Sequence, residues 1–484
     1  MNNRQSENSS VEAVTVSDEG ALARAGLALA NWSERWFPDA LVFAMLALVI
    51  VAVGALFLGA PPKAVMVSFG SGFWGLIVFT MQMAIIIVGG YVVASSPPVA
   101  RFVEWLATLP RTDRAAIAFI ALWSTLSSFI SWGFSLIFSG LLVRELTRRR
   151  PRMDYRAAGA AGYLGLGSIW ALGFSSSAAL LQANKASLPP ALFKITGVIP
   201  FTETVLLWQS LVTAVFLLFV SVAVAYLSAP SEAAARPASH YGVSFEPLVR
   251  PLPERRRPGE WLEYSPLLTV LVFILAAGFL ADNFARLGAI TAIANLNTYN
   301  FIFLMVGLLL HWRPRRFLEA VAASVPATAG VLIQFPFYAG IAAILTGAKN
   351  ATGASLASWL AHLFVTVSNR HTFPLLVTAY SAILGVFVPS GGGKWIIEAP
   401  YIMQAANTLH VHLGWVVQIY NAAEALPNLV NPFWMLPLLG LLNVRARELV
   451  GYSILQVIVH TPIVFFLMWL FAETLTYHPP IIAG

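Results

Sequence analysis

The stretch Ala64 to Ala100 reads AVMVSFGSGFWGLIVFTMQMAIIIVGGYVVASSPPVA, 37 residues between Lys63 and Arg101 without one Asp, Glu, Lys or Arg. As helix it would extend about 55 Å, nearly twice a ~30 Å hydrocarbon core. Outward from it the pattern repeats. Uncharged runs also cover 40–62, 115–143, 157–184, 204–231, 264–281, 287–312, 320–348, 371–393, 399–423, 425–444 and 449–472. A spanning helix needs about 20 apolar residues, so about ten such segments predict a polytopic all-α membrane protein. Alternating short segments would mark a β-barrel, and they are missing from the pattern.

Composition agrees. Of 484 residues 11% are charged, against roughly 25% in soluble domains. Hydrophobic residues make up 58% of the chain, and mean hydropathy is +0.75. With no cysteine, disulfide scaffolds, zinc ribbons, iron–sulfur clusters and cysteine nucleophiles are excluded. The net charge of +7 would suggest nucleic acid in a soluble chain; here it marks cytoplasmic Lys and Arg, and no nucleic-acid partner is expected.

The domains expected are a cytoplasmic tail over 1–39, a membrane repeat over 40–228, and a Pro- and Arg-rich cytoplasmic linker over 229–263. A connecting transmembrane helix over 264–284, a second repeat over 298–474 and a tail over 475–484 follow. The polar, mixed-charge start does not resemble a secretory signal. Basic loops at Arg144 to Arg156, Arg255 to Arg257, Arg313 to Arg316 and Arg445 to Arg447 are placed inside. Counting crossings from these loops makes 64–113 a hairpin that returns to the outside, and 115–143 a helix ending inside. In the second half, 324–369 returns to the inside, and 373–408, 415–443 and 449–473 cross with directions opposite to their counterparts. Gly75 with Gly330, Ala84 with Ala339, Trp105 with Trp359 and Phe129 with Phe387 echo one another at nearly one offset. Two inverted repeats are expected, a transporter device in which two halves expose one site alternately.

The breaks carry the candidate site. Pro389, Ser390, Gly391, Gly392 and Gly393 interrupt the segment 373–408. Irregular backbone at membrane depth is tolerated only when buried in protein or lining a wet cavity. A half-helix restarting near Lys394 would aim free N–H groups and its positive dipole end there, favouring an anion. Lys394 either adds to that site or only neutralises Glu398 one turn on. The matching break in the first half is Ser131, Trp132, Gly133 and Phe134. Gly173 to Ser177 is a further candidate.

A polar stripe of Gln418, Asn421, Glu424, Asn428 and Asn431 lies along 415–443, kinked by Pro427 and Pro432. A carboxylate in such a segment faces a pathway or a partner, so Glu424 is the candidate proton or ion carrier; the alternative is a structural carboxylate. Gln82 and Gln334, beside Pro336 expected to break its helix, are hairpin-tip candidates or plain helix–helix bonds. His410 and His412 sit two apart in an outside loop, too few for a metal site of three or four ligands. No metal, cofactor or catalytic residue is expected.

Several runs carry a resemblance: Arg35 to Asp39, Met81 to Ala84, Ala94 to Ser96, Trp132 to Phe134, Gln334 to Gly340, Val388 to Gly393, and Pro432 to Trp434. From about Arg35 onward the chain resembles the bacterial short-chain fatty acid transporters, within the wider ion transporter superfamily. The resemblance implies a bacterial inner-membrane carrier of small monocarboxylates such as acetoacetate or butyrate. It also implies a homodimer with a scaffold and a mobile domain bearing two hairpins, moving in elevator fashion with H+ or Na+. In the family a His can follow the triple glycine where this chain has Lys394. Glu424 and Asn428 match a Glu and an Asn of the family pattern, while Leu426 and Pro427 depart from it. Substrate contacts are expected from Gln82, Ser131, Trp132, Gly133, Phe134, Gln334, Ser390, Gly391, Gly392, Gly393, Lys394, Asn428 and Asn431, with apolar walls from Trp132, Phe134 and Phe335. The alternatives are a carrier of other organic anions, a passive channel, or an intramembrane acyltransferase using His362 or Glu424.

Overall fold

The computed structural model describes residues 21, 24, 28 and 40–481, apart from 76, 184, 186–187, 189, 244, 246–251, 253, 294, 357, 360–365 and 388–390. All regular structure among them is helical, with one isolated bridge between Lys349 and Ser355. The first half runs α1 (Ala40–Phe57), α2 (Pro62–Gly72), α3 (Ile77–Ala94), α4 (Pro97–Leu106), α5 (Asp113–Ile130), α6 (Trp132–Arg149), α7 (Tyr155–Leu164), α8 (Ser177–Gln182), α9 (Pro190–Thr196) and α10 (Trp208–Ser228). Then come α11 (Glu260–Tyr264), α12 (Leu267–Leu287), α13 (Ala289–Ile293), α14 (Leu296–His311), α15 (Pro314–Ser324), α16 (Ala329–Gly347), α17 (Phe373–Phe387), α18 (Gly391–Leu409), α19 (Leu413–Asn428), α20 (Pro432–Leu442) and α21 (Ala446–Ala472).

Among the described residues six helical segments are long and apolar enough to cross a bilayer, and a seventh if α3 and α4, bent by 69°, count as one span. Three shorter apolar helices, Ala44–Phe57, Leu296–His311 and Phe373–Val386, account for further uncharged runs. Pro336, expected to break its helix, stays inside α16 without ending it, since neighbouring helices can re-satisfy the group a proline frees.

The largest correction concerns direction. Residues 115–143 were expected to cross once. Instead α5 and α6 fold back on each other as a hairpin with its tip at Ser131. Arg150, just past the end of α6, pairs with Asp113 at the start of α5 at 2.9 Å and donates to Pro110 O at 2.5 Å. Halfway to the tip, the Ser135 hydroxyl donates to Ser124 O at 2.7 Å. Residues 110–113 therefore share a face with the basic loop 144–156, and the crossing count that made 64–113 an outside hairpin fails. A second hairpin joins α17 and α18. The Ser381 hydroxyl on α17 reaches Glu398 on α18 at 2.5 Å, a contact that a straight helix of that length forbids.

Each hairpin is followed by a broken helix. α7 runs through a π-helical turn (Gly165–Ile169) and a 3-10 turn (Trp170–Leu172) before the chain extends and restarts at α8. A Cβ at Gly165 would stand 2.2 Å from Ser124 O, and one at Gly173 2.4 Å from Phe129 O. The glycines thus let this helix press onto the hairpin backbone, as small residues do between membrane helices. Residues 415–443, expected as one kinked helix, are two helices, α19 and α20, separated at Leu429 to Asn431.

The described part of the 229–263 linker is docked. Arg236 accepts from Tyr155 N at 2.9 Å, and its own N–H donates to buried Asp154 at 2.9 Å. Phe245 lies under the Arg144 guanidinium at 5.1 Å.

Candidate functional site

A cavity of about 340 Å³ opens where the hairpin tips meet α3 and α14. Gln82, Met83 and Ile86 of α3 form one wall. Trp132, first residue of α6, and Gly392 with Gly393, in the first turn of α18, form another. Ser175 and Ser177, at the restart of the first broken helix, and Asn295, Asn297 and Tyr299, where α14 begins, complete it. Among the described residues no charged side chain lines it. Its polarity comes from amides, hydroxyls and the starts of helices, where backbone N–H groups lack intrahelical partners and the dipole favours negative charge.

Local bonds fix these walls. Gln82 donates to Asn297 Oδ1 at 2.8 Å, and Asn300 donates to Gln82 O at 3.0 Å, tying α3 to α14. Trp132 N donates to the Ser175 hydroxyl at 3.1 Å, and Phe174 N to Phe129 O at 2.8 Å, tying the first broken helix to the first hairpin tip. Trp132 also meets Trp434 edge-on at 5.5 Å, which in turn meets Phe335 at 5.9 Å.

Of the residues singled out in the sequence, Gln82, Trp132, Gly392 and Gly393 line the cavity, and Gly391 borders a small void beside it. Ser131 caps α6, its hydroxyl accepting from Phe134 N at 3.3 Å. Gly133 is a packing residue: a Cβ there would meet Ile86 Cγ2 at 2.4 Å. Phe134 stacks on Phe138 at 5.2 Å and Phe335 packs on Trp434, so neither forms the cavity wall. Gln334 accepts from the Tyr338 hydroxyl one turn on at 3.4 Å, away from the cavity. Asn431 lies in the break between α19 and α20. Pro389, Ser390 and His362 fall outside the described residues. Asn295 and Asn297 were missed; the run of Asn295, Asn297 and Asn300 opening an apolar helix was the available signal.

The stripe on α19 divides. Asn421 donates to Gln418 at 2.6 Å, and Gln418 to Ser210 on α10 at 2.9 Å, a helix–helix network. Glu424 turns the other way. Its Oε2 lies 2.6 Å from Lys394 Nζ, and both side chains are fully buried. Lys394 lies 3.4 Å from Glu398, donates to Ser381 O at 2.6 Å, and sits over the Tyr420 ring at 4.7 Å. Lys394 is absent from the described lining of the cavity and pairs with both carboxylates. It neutralises carboxylates, as one reading held, but Glu424 is nearer than Glu398. Asn428, one turn beyond Glu424, is fully buried with its side-chain amide unbonded among the described residues.

One group could in composition hold a metal. Glu203, His412 and His478 bring ligand atoms within 4.8 Å of one another, so His412 gains neighbours that its spacing from His410 did not announce. Its Nδ1, however, accepts from Trp415 N at 3.1 Å as the cap of α19, and His478 closes on Glu203 at 3.2 Å. The trio acts as a clasp on the C-terminal segment. Burial, and then neighbouring His478, hold the His412 imidazole down at about 4.

A family model described as short chain fatty acid transporter matches residues 21–471. A candidate short-chain fatty acid transporter of Escherichia coli K12 is 34% identical over 435 residues, covering 88% of this chain and 94% of that one. A second, from Haemophilus influenzae KW20, is 28% identical over 449 residues, covering 91% and 98%. Two solved structures are looser likenesses. The YdaH transporter of Alcanivorax borkumensis has a TM-score of 0.48 at 14% identity, covering 91% of this chain and 98% of its own. Neisseria gonorrhoeae MtrF, described with a class of antimetabolite efflux pumps, has 0.47 at 13%, covering 93% and 98%. On its full-length match and its relatives, the chain belongs to the short chain fatty acid transporter family.

Proposed function

We propose that this protein is a secondary carrier of short-chain monocarboxylates in a bacterial inner membrane, with its N-terminus cytoplasmic, working as a homodimer. The observation that carries the reading is the small cavity walled by the first turns of α6 and α18 and by neutral amide and hydroxyl groups, with no cation among the described residues of its lining. A carboxylate would take backbone and side-chain N–H groups near Gly392 and Gly393, and its alkyl tail would lie on Trp132, Met83 and Ile86. Apolar burial gives about 0.8 kcal/mol per CH₂, so a four-carbon acid binds loosely and chain length is read only moderately. Alternating access of elevator type fits the order of elements. A hairpin and a broken helix recur in each half, beginning at Asp113 and Tyr155 and again at Phe373 and Leu413, which supports two repeats, taken in this proposal as inverted. Transport is coupled to a cation through the buried Glu424 cluster.

Counterflow of labelled butyrate into proteoliposomes, competed with a panel of two- to six-carbon acids, tests this reading. Gly392→Leu puts a branched side chain into the cavity and is expected to lose at least about tenfold in rate, roughly the 1.4 kcal/mol that a tenfold change represents. Equal counterflow by the variant would reject the site.

A further inference from the structure

We infer that Lys394 is a tethered cation standing where an exchangeable coupling cation would bind, which leaves the proton as the ion that drives this carrier. The inference rests on the carrier reading above. Three oxygens surround the ammonium within ion-pair or hydrogen-bond reach: Glu424 Oε2 at 2.6 Å, Ser381 O at 2.6 Å and Glu398 Oε1 at 3.4 Å. The face of Tyr420 closes a further side at 4.7 Å. Two carboxylates, a main-chain carbonyl and a ring face form the kind of nest that takes a monovalent metal ion. Here the chain supplies the charge itself, on a side chain with three donors.

The nest is built around that occupant. Gly385 of α17 leaves the space open, because a Cβ there would stand 3.0 Å from Glu424 Oε2 and 3.4 Å from Lys394 Nζ. The Tyr420 hydroxyl is committed to Gly391 O at 2.7 Å, which joins the nest to the first turn of α18. No free cation can enter while the ammonium is in place.

Charge balance then selects the proton. One ammonium faces two carboxylates with no solvent exposure, and an uncompensated buried charge is costly. A single proton shared by Glu398 and Glu424 removes the surplus. Glu424 Oε1 has no hydrogen-bond partner among the described residues and is free to carry it. Tyr380 of α17 and Tyr420 of α19 are the other titratable groups facing the carboxylates. Lys394 directly follows Gly392 and Gly393, so a substrate carboxylate in the cavity arrives next to this cluster. Adding a third negative charge there favours a protonated cluster, and anion and proton move together.

The experiment uses the full chain in proteoliposomes with labelled butyrate, and protein-free vesicles subtract passive entry of the undissociated acid. One arm imposes a pH gradient without Na+, and the other a Na+ gradient at equal pH on both sides. Expected are protein-dependent acceleration by the pH gradient and none by Na+. Lys394→Ala empties the nest, and its counterflow is expected to rise about tenfold between zero and saturating Na+, Li+ or K+. Accumulation driven by Na+ in the wild-type protein overturns the inference while leaving the carrier reading standing. So does a monodisperse Lys394→Ala protein indifferent to all three ions. If the variant does not purify as one species, the two wild-type arms decide. Absence of butyrate counterflow in the wild type would instead remove the carrier reading itself.

Discussion

Gly385 shows how little room the buried charges leave. It faces Pro427 across the α17–α19 contact, and a methyl group in place of its hydrogen would stand 2.7 Å from Pro427 Cγ as well as near the Glu424 carboxylate. Pro427 is a rigid ring inside α19 and cannot swing aside as a long side chain would. Overpacking of this kind costs typically about 1–3 kcal/mol. Gly385→Ala is therefore expected to lower the melting temperature in detergent, and a second substitution, Pro427→Ala, to recover part of the loss. Melting curves of both variants check this. An unchanged melting temperature in Gly385→Ala would mean that α17 and α19 can separate cheaply and that the nest around Lys394 is softer than its distances say. This crowding was hidden from the sequence. Glu398 at one helical turn was a legible partner for Lys394, whereas the nearer Glu424 comes from another helix, and no spacing rule connects residues so far apart in the chain.

At the scale of elements, the sequence disclosed where helices stop better than where they go next. Ser131 marked a real interruption, because a serine cap acts locally, whereas Gly391 to Gly393, expected in a break with the helix restarting near Lys394, already form the first turn of α18. Whether the chain then continues or folds back depends on distant partners, such as Arg150 with Asp113, and hydropathy records length without direction. The same holds for His412, whose capping of α19 needs only Trp415 N, three residues away, but whose burial depends on His478 and Glu203. That burial has a consequence for stability. The folded-state value of about 4 lies below the ordinary ~6.5. Above about pH 6.5 the ring is neutral in both states and folding is unaffected. Between there and pH 4 the unfolded chain takes a proton that the folded chain refuses. Stability thus falls as pH falls, by up to about 3 kcal/mol for the whole interval. His412→Asn keeps a capping side chain without the titration, so its melting temperature between pH 7 and 4.5 is expected to decline less than that of the wild type. Parallel declines would show that the ring is protonated in place without strain.

The whole molecule is cysteine-free, so a pair of introduced thiols can report motion without background. Elevator transport treats the two hairpins and two broken helices as one body moving against the rest. A cross-link within that body should be harmless, and one across its boundary should stop the cycle. A Cβ at Gly162 on α7 would stand 3.7 Å from Ser139 Cβ on α6, and the elevator proposal puts both in the body that moves. One at Gly330 on α16 would stand 3.6 Å from Leu436 Cβ on α20, a pair that the proposal puts on opposite sides of the boundary. Both separations fall within the Cβ range of disulfides, about 3.5–4.5 Å. In oxidised proteoliposomes, Gly162→Cys with Ser139→Cys is expected to keep butyrate counterflow close to its reduced rate. Gly330→Cys with Leu436→Cys is expected to lose it and to regain it on reduction. The ordering of these two results carries the information, because either disulfide alone could fail for local strain. If the boundary cross-link forms completely and counterflow persists, α16 and α20 travel together, and access must alternate by local opening of the hairpin tips around a cavity that stays where it is.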